Sequence, residues 1–175
     1  MTTDELREAL LRTPKNGYTR LTDRERAEMN AFCRRYMDFM DAGKTEREAT
    51  AWAVREADKR GFKPFTPGMD AKPGDKIYYN NRGKSIALAV IGTESLDQGI
   101  HICAAHIDSP RIDLKPNPLY EDSEIAYFKT HYYGGIKKYQ WVTLPLALHG
   151  VVCRKDGTKV TVTIGEDENL SLIHI

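Results

Sequence analysis

The chain has 175 residues, 41% of them hydrophobic and 29% charged, enough for one domain with its own hydrophobic core. Lysine and arginine number 26 against 25 for aspartate and glutamate, a formal charge of +1, and this balance gives no electrostatic case for a nucleic-acid or membrane-surface partner. The longest strongly apolar run, residues 86–91, is far too short to span a bilayer, and the acidic start around Asp4 and Glu5 carries no signal-like apolar stretch, so a soluble, non-exported protein is expected.

Residues 4–11 read as a short amphipathic helical segment closed by Thr13-Pro14. Thr22-Asp23-Arg24-Glu25 is a capping box, in which a hydroxyl and a carboxylate each satisfy a free backbone N–H. Met29, Phe32, Cys33, Tyr36 and Met40 follow at helical spacing, and Gly43 suits a left-handed stop. A second box, Thr45-Glu46-Arg47-Glu48, opens a helix with Ala49, Trp52, Ala53 and Ala57 on one face and Gly61 at its end. The spacing predicts helices over residues 22–42 and 45–60, with their apolar faces packed on each other and on a sheet.

After a connector punctuated by Pro64, Pro67, Gly68, Pro73 and Gly74, the pattern changes to that of strands. Residues 77–79 and 84–91 flank Asn80-Asn81-Arg82-Gly83, which reads as a hairpin turn. Residues 100–105, 111–114, 125–129, 141–152 and 159–164 are further strand candidates, the last two separated by a turn at Asp156-Gly157. Helices first and strands after describe an α+β or α/β layered domain. Cys33, Cys103 and Cys153 are far apart with no Cys-x-x-Cys, which argues against a disulfide framework and a thiolate zinc site and for a reducing cytoplasm.

Chemistry concentrates at His106-Ile107-Asp108-Ser109-Pro110, at the end of the apolar run 100–105. Side chains two apart in a strand share a side, so His106 and Asp108 are delivered together, as a metal ligand and the carboxylate that fixes its tautomer would be. The spacing alone also describes a surface histidine beside a capping aspartate. His101, five positions before His106, falls on the opposite face of the expected strand. His131 reads either as a pocket residue or as a surface loop position, and His149 as a hydrogen-bonded core or edge residue. His174 is assigned nothing. Gly134-Gly135 suits a close backbone approach to a ligand or a bend.

Taken together, HICAAHIDSPRIDLKP over residues 101–116, Tyr132-Tyr133-Gly134-Gly135-Ile136, Ile164-Gly165-Glu166-Asp167-Glu168-Asn169, Asp75-Lys76-Ile77-Tyr78-Tyr79 and Asn81-Arg82-Gly83-Lys84-Ser85 resemble the M18 metalloaminopeptidases of the aspartyl aminopeptidase type. The resemblance runs from the first helix to Asn169 and implies an α/β fold, the amino-terminal part of a phosphorylase/hydrolase-like α/β/α zinc peptidase domain. It implies a zinc-dependent aminopeptidase acting on peptides with a free amino terminus, cytoplasmic, homo-oligomeric, with two zinc ions in the complete enzyme. In it His106 is a ligand of one zinc and Asp108 the catalytic carboxylate that polarises it. The family's bridging aspartate, Glu-Glu pair, later aspartate, final histidine and dimerisation insert are expected beyond this chain. Glu166-Asp167-Glu168 precedes that insert and reads as a solvated turn, not as the Glu-Glu pair. Where many relatives carry Trp-x-Asp-Arg this chain has Trp141-Val142-Thr143-Leu144.

Residues 1–169 are thus expected to be an incomplete amino-terminal part of the catalytic domain. Residues 170–175, Leu-Ser-Leu-Ile-His-Ile, replace the family's Asp-Pro continuation and read as an atypical tail from a truncated frame, or else as a short variant whose tail adds an edge strand. One histidine with one carboxylate is short of the three protein ligands of a catalytic zinc, so this chain is expected to be inactive and to bind zinc weakly. The alternatives are a non-catalytic folded fragment or interaction subunit, and a mononuclear site using His106, Asp108 and either His101 or His131.

Overall fold

Each of the three helices that begin the chain starts on a Thr-x-x-Glu box, and in the computed structural model all three boxes close. The structure describes residues 2–12, 14 and 16–167, with the backbone of residues 172–173. Thr2 N–H donates to Glu5 Oε2 at 2.7 Å and opens α1, Thr3–Leu10. Thr22 N–H donates to Glu25 Oε2 at 2.8 Å ahead of α2, Asp23–Ala42. Thr45 N–H donates to Glu48 Oε2 at 2.9 Å and opens α3, Glu46–Lys59.

The chain divides into two compact units, residues 1–41 and 42–175. In the first, a short 3-10 turn, Gly17–Arg20, lies between α1 and α2. The apolar stripe of α2 does not form a core: Phe32, Tyr36, Met37 and Met40 are exposed, and no residue of the helix is buried. A stripe is buried only against another apolar face, and α1, eight residues long, carries Leu6 and Leu10 that are themselves exposed.

In the second unit α3 ends in a Schellman motif. Gly61 takes φ +79°, its N–H donates to Asp58 O at 3.0 Å, and Phe62 N–H donates to Ala57 O at 3.0 Å. Beyond it β1, Lys63–Pro64, runs parallel to β2, Lys76–Asn81, which pairs antiparallel with β3, Ser85–Val90. The β2–β3 turn has positive φ at both Arg82 and Gly83, as a type I′ connection requires. Helix α3 packs across β2 and β3, and the seam buries Ala49, Thr50, Ala57 and Tyr78. Burial and the neighbouring Asp58 carboxylate push the Tyr78 hydroxyl pKa up.

The remaining strands form three further two-stranded pairs. β4, Arg111–Asp122, pairs antiparallel with β5, Ile125–Tyr133. Its register shifts between Leu114 and Leu119, the stretch that contains Pro116 and Pro118, which have no N–H to give the ladder. After a short helix α4, Lys138–Trp141, come β6, Pro145–Leu146, and β7, Leu148–Cys153, which pairs with β8, Lys159–Ile164. The strand expected over residues 141–152 is therefore a helical turn followed by two strands. β9, Leu172–Ile173, pairs antiparallel with β6. The rest of the expected atypical tail lies outside the described residues.

Residues 99–110 contain no strand. The run 100–105 has strand composition, but no described strand runs beside it, and Ile100 and Ile102 are exposed. Without a neighbour to take its N–H and C=O groups, an apolar run has no ladder to join.

Candidate functional site

His106 and Asp108 sit on the irregular segment that feeds β4, and the β4–β5 register brings the end of β5 alongside it. Arg111 pairs with Tyr133 across the ladder. The Tyr133 hydroxyl donates to Asp108 Oδ2 at 2.7 Å, a charge-assisted bond between groups 25 residues apart. The Arg111 guanidinium lies 4.1 Å over the Tyr133 ring centroid and donates through Nε to Asp113 Oδ1 at 2.7 Å. Gly134 follows Tyr133 with φ +79°, and a Cβ there would stand 3.3 Å from Pro110 Cα. The close approach that Gly134 permits is thus to Pro110, two residues past Asp108.

His106 Nδ1 is 3.0 Å from the Asp108 carbonyl oxygen and 3.5 Å from Asp108 Oδ1. Both are acceptors, so the network assigns the proton to Nδ1 and leaves the Nε2 lone pair for another partner. The histidine side chain is 84% exposed and the aspartate 37%. The two groups meet, as the sequence pattern suggests, but on an irregular segment and not through strand alternation. The hydrogen bond from Tyr133, then the backbone N–H of Asp108 and the nearby His106, hold the Asp108 carboxyl below its ordinary pKa. The same bond raises the Tyr133 pKa.

An exposed imidazole with a fixed Nδ1–H and an outward Nε2 suits one zinc bond. Among the described residues no group of three His, Cys, Asp or Glu side chains could hold a metal. The donor set on hand therefore fits one arm of a zinc site.

His101 lies in the same irregular segment and is exposed, so the alternation that placed it on an opposite face does not operate. His131 is on β5 opposite Asp113, its Nδ1 3.3 Å from Tyr132 O, and lines an open pocket of about 210 Å³ with Tyr132, Lys138 and Trp141. His149 on β7 is the bonded residue the sequence suggests, with Nδ1 2.8 Å from Glu48 Oε1 and Nε2 2.7 Å from Glu166 Oε1. Glu166 is accordingly not part of a merely solvated turn. Tyr133 and Arg111 escaped the sequence reading; the available signal was Tyr133's place just before the Gly134-Gly135 pair.

A family model described as Aminopeptidase I zinc metalloprotease (M18) matches residues 39–175. The probable M18 family aminopeptidase 1 of Clostridium acetobutylicum is 50% identical over 164 residues, covering 91% of this chain and 35% of that protein. The crystal structure of Aminopeptidase I from Borrelia burgdorferi B31 superposes with a TM-score of 0.86 at 42% identity, covering 91% of this chain and 40% of the other. The S. cerevisiae mApe1 dodecamer, at 19% identity and a TM-score of 0.66 over 78% of this chain and 34% of its own, shares the fold alone. The chain spans about a third of the length of the curated relatives it matches, 35% of the Clostridium protein. No helix among the described residues is long and apolar enough to cross a membrane.

Proposed function

This chain belongs to the M18 aminopeptidase family, and on that premise we propose that His106 and Asp108 form one wall of a zinc site that releases the amino-terminal residue from peptides. The observation that carries the reading is the His106–Asp108–Tyr133 arrangement, in which the exposed imidazole has Nδ1 3.0 Å from the Asp108 carbonyl oxygen and 3.5 Å from its carboxylate, and Tyr133 holds that carboxylate through a 2.7 Å bond. In this reading His106 binds the metal through Nε2, and Asp108 keeps the imidazole in the Nδ1–H tautomer and strengthens it as a donor. Tyr133 holds the carboxylate, and Arg111 holds Tyr133. Zinc, when bound, supplies a Lewis acid for the scissile carbonyl and a lowered pKa for bound water. The family reading extends to a second zinc ion and to further donors, which the described residues do not supply.

The reading includes a peptide substrate with a free amino terminus, no nucleic-acid partner, a homo-oligomeric assembly and a cytoplasmic location. Exposed Leu119, Phe128, Val152 and Ile164 on the strand pairs support further protein surface covering them. Three unpaired cysteines support a reducing compartment.

The test is a chimera in which this chain replaces the aligned portion of the Clostridium protein. The chimera is expected to retain zinc after dialysis and to release amino-terminal residues from peptides. His106→Ala should lose both properties. A His106→Ala chimera with full zinc content and undiminished hydrolysis contradicts the assignment. The 175-residue chain alone should show no appreciable turnover, and chelator-sensitive release of amino acids by it would refute that.

A further inference from the structure

His149 stands outside the candidate zinc site and is held at both ring nitrogens by carboxylates. Its side chain is 13% exposed, with Nδ1 2.8 Å from Glu48 Oε1 and Nε2 2.7 Å from Glu166 Oε1. A neutral imidazole has one N–H and one lone pair, so it can donate to only one of two ionised carboxylates and would set a lone pair against the other. With both carboxylates ionised, these two distances are satisfied by the doubly protonated ring.

The partners differ in how firmly they are placed. Glu48 belongs to the box that opens α3: its Oε2 accepts from Thr45 N–H at 2.9 Å and Thr45 Oγ1 at 3.0 Å, leaving Oε1 for His149. Glu166 follows β8 and is the more open of the two, 51% exposed against 30% for Glu48. The facing groups are Glu48 from α3 and Glu166 from the segment after β8; the cross-strand neighbour on β8, Thr163, has no charge. Two anions thus share one cation that only protonation supplies.

We propose that His149 is a proton-dependent clamp that ties the segment after β8 to the first turn of α3, holding Glu48 and Glu166 together when charged and releasing Glu166 when neutral. Partial burial works against the charged ring, but the bonds to Glu48 and Glu166 outweigh it and raise the His149 pKa above its ordinary value. For Glu48, burial works upward and the bonds from His149 and Thr45 prevail, so its carboxyl is lowered. The clamp therefore operates from the carboxylate range up to the raised imidazole pKa, and opens above it.

The test is a long-range proton–nitrogen NMR titration of the His149 ring in the 175-residue protein, with amide exchange at Gly165 and Asp167. The midpoint should lie above the value near 6.5 of an unperturbed histidine, and below the midpoint both ring nitrogens should carry protons. Glu166→Gln should move the midpoint down. Above the wild-type midpoint, exchange at Gly165 and Asp167 should accelerate beyond the ordinary hydroxide dependence, and this step should vanish in Glu166→Gln. A midpoint at or below that unperturbed value overturns the proposal on the wild-type protein alone. So does a midpoint that Glu166→Gln leaves unchanged.

Discussion

Replacing Gly134 by alanine tests whether the close packing behind the His106–Asp108 pair is what the structure says it is. Gly134 has φ +79°, and an added Cβ would meet Pro110 at 3.3 Å from Cα, 3.4 Å from Cβ and 3.5 Å from Cγ. The left-handed conformation costs an L side chain about 1–2 kcal/mol. Forcing a methyl against a proline ring adds overpacking of about 1 kcal/mol or more, and the reduced freedom of the unfolded chain returns only about 0.4–1 kcal/mol. Gly134→Ala should therefore destabilise by about 2 kcal/mol. At roughly 2–4 °C per kcal/mol for a chain of this size, the midpoint should drop by about 4–8 °C. Gly135 is the control: nothing lies within 4 Å of its would-be Cβ, and its φ is outside the strained range, so Gly135→Ala should stay within about 0.5 kcal/mol of the parent. The assays are thermal unfolding for the midpoint and urea unfolding for the free energy, both followed by circular dichroism, with the urea slope checked for constancy. Because Gly134 adjoins Tyr133 and Pro110 closely follows Asp108, Gly134→Ala should also loosen the Tyr133–Asp108 bond and let the Asp108 pKa drift up. Equal stability of the two alanine variants refutes the packing argument.

Thr50 is 1% exposed and its Oγ1 has no hydrogen-bond partner among the described residues; removing an unsatisfied buried hydroxyl recovers about 1 kcal/mol or more, so Thr50→Val should raise the urea midpoint, and a lowered midpoint would show that the hydroxyl is bonded. Tyr133→Phe removes the bond that does most to lower the Asp108 pKa, so a carbon-13 titration of that carboxyl should shift upward, and an unmoved titration contradicts the relay. His149 has a raised folded-state pKa, so its contribution to stability is complete below the unfolded value of about 6.5 and is lost as pH rises through the folded value; urea midpoints across that range should fall in the parent and fall less in Glu166→Gln.

How much of this was legible in the sequence depends on whether a feature is local. The Thr22 and Thr45 boxes, the Gly61 stop and the span of β8 are each set by a few neighbouring residues, and each stands where the pattern places it. The hairpin turn expected at Asn80-Asn81-Arg82-Gly83 forms slightly later, because Asn80 and Asn81 pair with Ile86 and Ser85 and complete β2. What failed depends on partners remote in the chain. The run 100–105 has the composition of a buried strand and no described neighbour to pair with. The α2 stripe has helical spacing and no apolar face in its own unit to bury it. At the site, His106 and Asp108 were visible as a pair because they are two residues apart. Tyr133 was not, because only the β4–β5 register brings it to Asp108. Glu48, His149 and Glu166 come from α3, β7 and the end of β8, and only the tertiary fold brings them together.

The most direct test of the central claim, that His106 offers Nε2 to zinc with Asp108 behind it, is a zinc titration of the 175-residue protein followed at the ring nitrogens of all its histidines. The His106 Nε2 signal should respond, with weak affinity. Asp108→Asn should weaken that affinity by about 10–100-fold, and His106→Ala should abolish the response while His101→Ala leaves it intact. A response centred on His101 or His131 that persists in His106→Ala places the metal elsewhere and contradicts the account.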